Sequence, residues 1–184
     1  MLLVEPCVLN SDLFPFLKRL GYDYFLSEDG KQSLRRYTIV CNNTKALYNA
    51  LKSTPKATIF VKPLSLDALK SAIIDHRVNA IILGRDNLSL FKKTMLSLIS
   101  QYNKFVEVRL NEVTFDVIYR LITWSSRWIR FPLISSCATK FNEVWSPYSK
   151  ISLLTSLGAS ESDALDWVCN TPLELISQFK VNQV

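Results

Sequence analysis

Cationic and polar side chains recur where short apolar runs end. ATIFV runs into Lys62, NAIILG into Arg85, Asp86 and Asn87, FVEV into Arg109, and FPLI into Ser135 and Ser136. Guanidinium and ammonium groups gathered at one rim bind phosphate or carboxylate oxygens. Each arginine also has a local use: Arg109 can pair with Glu107, and Arg85 with Asp86 or a helix end. Catalytic combinations are thin. His76 is the one histidine, so a site built from two or three imidazoles is excluded. No GxSxG elbow is present to present a serine nucleophile. Asp86, Glu107 and Glu112 have no diagnostic spacing. Cys137 follows two serines at a strand end and reads as a buried thiol. Gly21, Gly30, Gly84 and Gly158 lie too far apart for a phosphate-cradling glycine loop.

These groups must be positioned by the runs themselves. VEPCV, DYFL, YTIVC, ATIFVK, NAIILG, FVEVRL and FPLISS are short, apolar and bounded by turn signals. Continuous rather than alternating hydrophobicity fits parallel strands covered on both faces. Helical patterns lie between them. Leu88, Phe91, Met95, Leu98, Ile99 and Tyr102 form one apolar stripe. Ser65 is placed to cap the following helix, and Asn111 to cap one running through Phe115 and Ile129. Ser146-Pro147 opens another helix that Gly158 closes. Ser160 and Asp163 form a capping box, and Thr171-Pro172 starts the last helix. Strands alternating with helices give an α/β domain over residues 1–184. About seven mostly parallel strands surrounded by helices fit either a doubly wound sheet or a small or incomplete barrel. In such folds, function sits at the carboxyl ends of the strands.

The chain has 184 residues and a formal net charge of +6. The surplus is uneven. Residues 1–30 carry net −3, residues 31–140 net +12, and residues 141–184 net −3. A basic middle between acidic ends points to a polyanion as partner. The four cysteines are scattered with no CxxC, as expected of reduced thiols in the cytoplasm. No apolar run is long enough to span a bilayer, so no membrane association is expected. The start, MLLVEPCVLN, has no basic n-region, which argues against a signal peptide. Arg35-Arg36, Lys92-Lys93, Arg127, Arg130 and Lys140 fall on expected loops or exposed helix faces. Trp124 and Trp128 read as core or helix packing, and Trp145 as a stacking platform or a partner anchor on a surface loop. The best linker candidate is the polar stretch Ser27 to Gln32.

Taken in order, LSLDALKSAIIDHRVNAIILGRDNLSLFKKTMLSLI, FVEVRL, RFPLISSCAT and SPYSKISLLTSLGASESDALDWVCNTPLELI resemble archaeal ribonuclease P protein component 3. The resemblance covers about residues 60–180. It implies a TIM-like barrel of about seven strands, akin to metal-dependent phosphoesterases. It also implies a noncatalytic subunit of the ribonucleoprotein that removes the 5′ leader from precursor tRNA. The RNA of that complex performs the cleavage, with Mg2+ held on the RNA and no cofactor on this chain. The expected partners are ribonuclease P RNA and ribonuclease P protein component 2. VEPCV stands at the first strand with no HxH, unlike the phosphoesterase relatives.

The leading expectation is thus an RNA-binding subunit that is not catalytic alone. Its candidate contacts are Lys62, Arg85, Lys92, Lys93, Arg109, Arg127, Arg130 and Lys140. The competing reading is a barrel enzyme for a small phosphorylated or acidic substrate, with Lys62, Arg85 and Arg109 as anion clamps at the mouth. It requires those three to converge on a pocket. A third reading is a basic scaffold that binds only protein.

Overall fold

The computed structural model describes residues 2–30 and 34–181. Seven strands form one parallel sheet: β1 (Val4–Val8), β2 (Tyr24–Ser27), β3 (Leu34–Cys41), β4 (Thr58–Pro63), β5 (Ala80–Leu83), β6 (Phe105–Arg109) and β7 (Phe131–Ser135). Their order in space is their order in the chain. A parallel bridge between Val8 and Ala138 brings the last strand back to the first. The sheet is therefore a nearly closed TIM-like barrel. All seven expected strands are present.

Eight α-helices accompany them: α1 (Phe14–Arg19), α2 (Thr44–Ser53), α3 (Leu66–Ile74), α4 (Lys93–Gln101), α5 (Phe115–Ser125), α6 (Pro147–Ser156), α7 (Glu161–Leu165) and α8 (Thr171–Val181). Alternate strand residues face opposite sides. Ile39, Val61, Ile81, Val106, Val108 and Ile134 pack outward against helical residues such as Leu47, Leu69, Ile73, Ile118 and Leu121. Phe60, Ala80, Ile82, Phe105, Phe131 and Leu133 form a separate cluster within the barrel. Both sides of each strand are thus apolar, which explains the unbroken runs. Leu175 and Ile176 of α8 join the inner cluster. They meet residues at strand starts, so α8 packs at the amino-terminal end of the barrel.

Most of the expected caps form. The Ser65 side chain accepts from Ala68 N at 3.2 Å, Ser146 from Ser149 N at 3.1 Å, and Ser160 from Asp163 N at 3.1 Å. Gly158 takes φ 102°, a conformation that suits glycine beyond a helix end. Three expectations shift. Asn111 does not cap α5: Thr114 stands at the N-cap position, where its hydroxyl donates to Asp116 and not to the helix backbone, while the Asn111 amide donates to the Glu143 carbonyl at 3.3 Å. Bridging two loops holds Asn111 away from the helix start, and Ile129 falls beyond the helix end. The stripe beginning at Leu88 is also interrupted. Leu88–Leu90 forms a 3-10 turn, and α4 starts at Lys93. Phe91 turns inward between them and stacks on Trp124, ring centroids 6.1 Å apart. The last helix does start at Thr171, but the chain enters it through a π-helical turn, Asp166–Asn170. Of the polar stretch Ser27–Gln32, Lys31 and Gln32 lie outside the described residues.

The seam between β7 and β1 carries a buried charge. Glu5, fully buried in β1, accepts from Ser136 N at 2.9 Å and from the Ser136 hydroxyl at 2.8 Å. Lys150 of α6 completes the site, with Nζ 2.6 Å from Glu5 Oε2 and 2.9 Å from the Ile134 carbonyl. Both side chains are almost wholly excluded from water. Removing one partner of such a pair strands the other charge in the core. Lys150→Met is therefore expected to cost about 3–5 kcal/mol in denaturant unfolding, and Glu5→Gln in the same background to recover part of that loss. A cost below about 1 kcal/mol for Lys150→Met would refute this role for the pair.

Candidate functional site

Arg36 lies across the bore of the barrel. Its position in β3 turns the side chain inward above Phe60, whose ring centre is 3.7 Å from the guanidinium carbon. Nη1 donates to the Pro6 carbonyl at 2.7 Å and to Glu107 Oε1 at 2.8 Å. Nη2 donates to Glu107 Oε2 at 2.9 Å, which makes the ion pair bidentate. Arg36 and Glu107 are both fully buried. Arg36 Nε lies 3.3 Å from Glu28 Oε1 but makes no hydrogen bond.

Arg109, two residues beyond Glu107 on the same strand face, extends this network toward the strand ends. Its Nε donates to Glu107 Oε2 at 3.2 Å, its Nη1 to Glu112 Oε1 at 3.2 Å, and its Nη2 to the Thr38 hydroxyl at 2.9 Å. Thr38 in turn donates to Glu28. Lys62, at the end of β4, pairs with Asp86 at 3.0 Å and lies 3.9 Å from Glu112. Gly84 leaves room for that pair. A Cβ there would meet Asp86 Oδ1 at 2.7 Å. Buried Asn87 fixes the same loop by accepting from Gly84 N at 2.9 Å and donating to the Ile82 and Pro63 carbonyls.

The mouth therefore holds Arg36, Arg109 and Lys62 against Glu28, Glu107, Glu112 and Asp86. Carboxylates outnumber cations, and the cations already have partners. Arg85 does not join Lys62 and Arg109. It is exposed in the loop after β5, facing Asp116. An anion clamp made of these three is not assembled, because two of its members are spent on internal ion pairs. Cavities of about 400 and 350 Å³ lie near Tyr22 and between α5 and α7; neither is lined by Lys62, Arg85 or Arg109.

The other candidate residues separate by topology. Arg85, Lys92, Lys93 and Lys140 lie exposed in the loops and helix starts that follow strands, at the mouth end. Arg127 and Arg130 are exposed in the segment leading into β7, at the opposite end. Each lies 5.1 Å from an aromatic ring, Trp128 and Phe131 respectively. Lys92 and Lys93 open α4, which has no acidic residue in its first turn. Cations there oppose the helix dipole. Ser135 and Ser136 serve the seam and the sheet, not the rim. Trp145 is half-buried, its carbonyl accepting from the Tyr22 hydroxyl at 2.8 Å. Trp128 lies beyond the end of α5, three residues past Ser125.

The sequence reading missed Arg36. It placed Arg35 and Arg36 before a strand starting at Tyr37, whereas β3 starts at Leu34. The usable signal was the alternation that puts Arg36 and Thr38 on one face. Among the described residues, no group of three His, Cys, Asp or Glu side chains is arranged to hold a metal ion.

No protein-family model matches this chain, and no curated protein matches it in sequence. Its fold has a clear relative. The chain is similar to one in the cryo-EM structure of archaeal Ribonuclease P with mature tRNA. The TM-score is 0.72 over 96% of this chain and 89% of that chain, at 14% sequence identity. An identity that low establishes a common barrel fold and nothing finer.

The network makes a pH prediction. Burial alone would raise the Glu107 carboxyl, but the charge and hydrogen bonds of Arg36, joined by Arg109, outweigh it and hold the group down to about 2. A carboxyl depressed in the fold stabilises it above its unfolded value of about 4.3, and that contribution is lost as pH falls toward 2. The loss amounts to about 3 kcal/mol. Urea unfolding from pH 6 down should show that slope in the wild type and not in Glu107→Gln. Parallel stability curves for the two proteins would contradict the assignment.

Proposed function

We propose that this chain is a noncatalytic protein subunit of a ribonuclease P ribonucleoprotein, in the role of protein component 3. The observation that carries the proposal is the similarity of almost the whole fold to a chain of that complex. The resemblance of residues 60–180 to the same family supports it independently.

Charge supports RNA as the partner. Because the strands follow chain order around the barrel, an imbalance along the sequence becomes an imbalance around the molecule. In residues 34–140, thirteen cations are exposed against four exposed carboxylates. The cations lie on β3, on α2–α5 and in the loops as far as the one after β7. On residues 141–178 the exposed charges are Glu161, Asp163, Asp166 and Glu174, and Lys150 is buried. One sector is thus cationic and the next anionic.

Arg85, Lys92, Lys93 and Lys140 contact RNA phosphates in this proposal, with Arg127 and Arg130 serving a second strand at the other end. None of the six has an ion pair within 4 Å among the described residues. An incoming phosphate would relieve the unfavourable placement of Lys92 and Lys93 at the start of α4. Lys62 and Arg109 act one step back, by holding the mouth. Phosphate contact gives affinity, and RNA shape gives selectivity. Protein component 2 is the proposed protein partner, precursor tRNA the substrate of the whole complex, and Mg2+ a ligand of the RNA. The competing enzyme reading finds no support in a mouth where carboxylates are in excess.

Binding to ribonuclease P RNA is expected to weaken steeply with salt, because each neutralised phosphate releases counterions. Lys92→Gln with Lys93→Gln should reduce the log–log salt slope by about two and weaken binding accordingly. Added to the RNA with protein component 2, the chain should raise leader removal; alone it should cleave nothing. A flat salt response, or cleavage of precursor tRNA by the isolated chain, would overturn the proposal.

A further inference from the structure

Cys7 and Cys137 are 130 positions apart in sequence, yet their sulfurs are 2.9 Å apart, with Cys7 Sγ donating to Cys137 Sγ. The backbones are in register as well. Cys137 N donates to the Cys7 carbonyl at 2.9 Å, and the adjoining Val8 and Ala138 form a parallel bridge. This is the seam of the barrel. The other strand pairs are joined by runs of paired residues, whereas β1 and β7 meet through that bridge and the bonds of Cys137 and Leu9. Cys137 also adopts φ 52°, a backbone state that a residue with a Cβ rarely takes. The seam holds it there, with its thiol facing Cys7.

We propose that Cys7 and Cys137 are a reversible disulfide pair that locks the barrel seam in response to oxidation. The proposal is independent of the RNA-binding reading, which uses neither thiol.

The pair is suited to this chemistry. A disulfide needs a sulfur–sulfur separation near 2 Å with the two Cα atoms about 4.4–6.8 Å apart, a range that includes the spacing of about 4.8 Å between adjacent strands. Both thiols are buried, Cys7 wholly and Cys137 at 4% exposure, and Cys137 is the nearer to solvent: it donates to Glu112 Oε1 at 3.6 Å, and the Glu112 side chain is 39% exposed. The oxidant is a low-molecular-weight disulfide or a hydroperoxide. The contact with Cys7 and burial push the Cys137 thiol well up, so reaction with glutathione disulfide begins with local opening of the seam, where Cys137 loses its proton to solvent. Its sulfur then attacks and forms a mixed disulfide, and one glutathione leaves as thiolate. Cys7 attacks the Cys137 sulfur in turn, giving the internal disulfide, a second glutathione thiolate and a second released proton. Two thiols are oxidised and one disulfide is reduced. Cys41 and Cys169 sit on β3 and the π-helical turn, each buried.

The test is oxidation of the full-length, RNA-free protein with glutathione disulfide, followed by alkylation under denaturing conditions and peptide mapping. Two of the four thiols should become unreactive, and one peptide should link Cys7 to Cys137. The thermal midpoint should rise by roughly 10 °C, because the bond closes a very long loop, and dithiothreitol should reverse the rise. A Cys41→Ser, Cys169→Ser double variant should oxidise as the wild type does, which keeps the test valid should Cys7→Ser fail to fold. Four reactive thiols after oxidation, or a linkage through Cys41 or Cys169, would overturn the proposal.

Discussion

The bidentate pair between Arg36 and Glu107 is the constraint around which the barrel is arranged. A seven-stranded barrel has a narrow bore, and the lower part of this one is filled with Phe60, Phe105, Phe131 and their neighbours. Above them, a backbone carbonyl of β1 and side chains of β3, β4 and β6 converge on one guanidinium. Arg36 bonds to the Pro6 carbonyl, pairs with Glu107 and covers the Phe60 ring. A buried ion pair is an expensive way to fill space unless its hydrogen bonds are nearly complete. Here Arg109 and Thr38 take up the remaining valences of Glu107 and its surroundings. The bore is sealed by polar contacts where barrel enzymes keep an open site.

That seal leaves the unpaired cations of the described residues outside the bore. Lys62 and Arg109 stand at strand ends, where a substrate-binding cation would stand, but they neutralise carboxylates of the same chain. The cations left to interact lie on loops and outer helices. Sequential strand order carries the linear charge pattern into the third dimension, so the basic middle of the chain becomes a basic flank. A binding module can use a broad flank. A small-molecule enzyme needs a pocket.

Much of this was legible in the sequence. The seven strands were readable because both of their faces are covered, and the Ser65, Ser146 and Ser160 caps because local chemistry alone sets them. The internal pairing of Arg109 with Glu107 was one of the alternatives that the sequence offered. What was not legible required the third dimension. Arg36 was hidden because β3 begins before its apolar run does, and Arg36 becomes an inward residue only when Glu107 stands opposite it. Asn111 has the residue type of a cap, but tertiary partners on the next loop claim its amide. The break in the stripe at Phe91 is set by Asn87 and Trp124, neither of which affects periodicity. Cys7 and Cys137 gave no signal, because only closure of the barrel brings them together.

The most direct measurement is hydrogen exchange of the chain, free and bound to ribonuclease P RNA. The account predicts protection in the loops after β5 and β7, along α4 and in the segment leading into β7, with α6 and α7 unchanged and the mouth network equally slow in both states. Protection centred on α6 and α7, or within the barrel mouth, would contradict it.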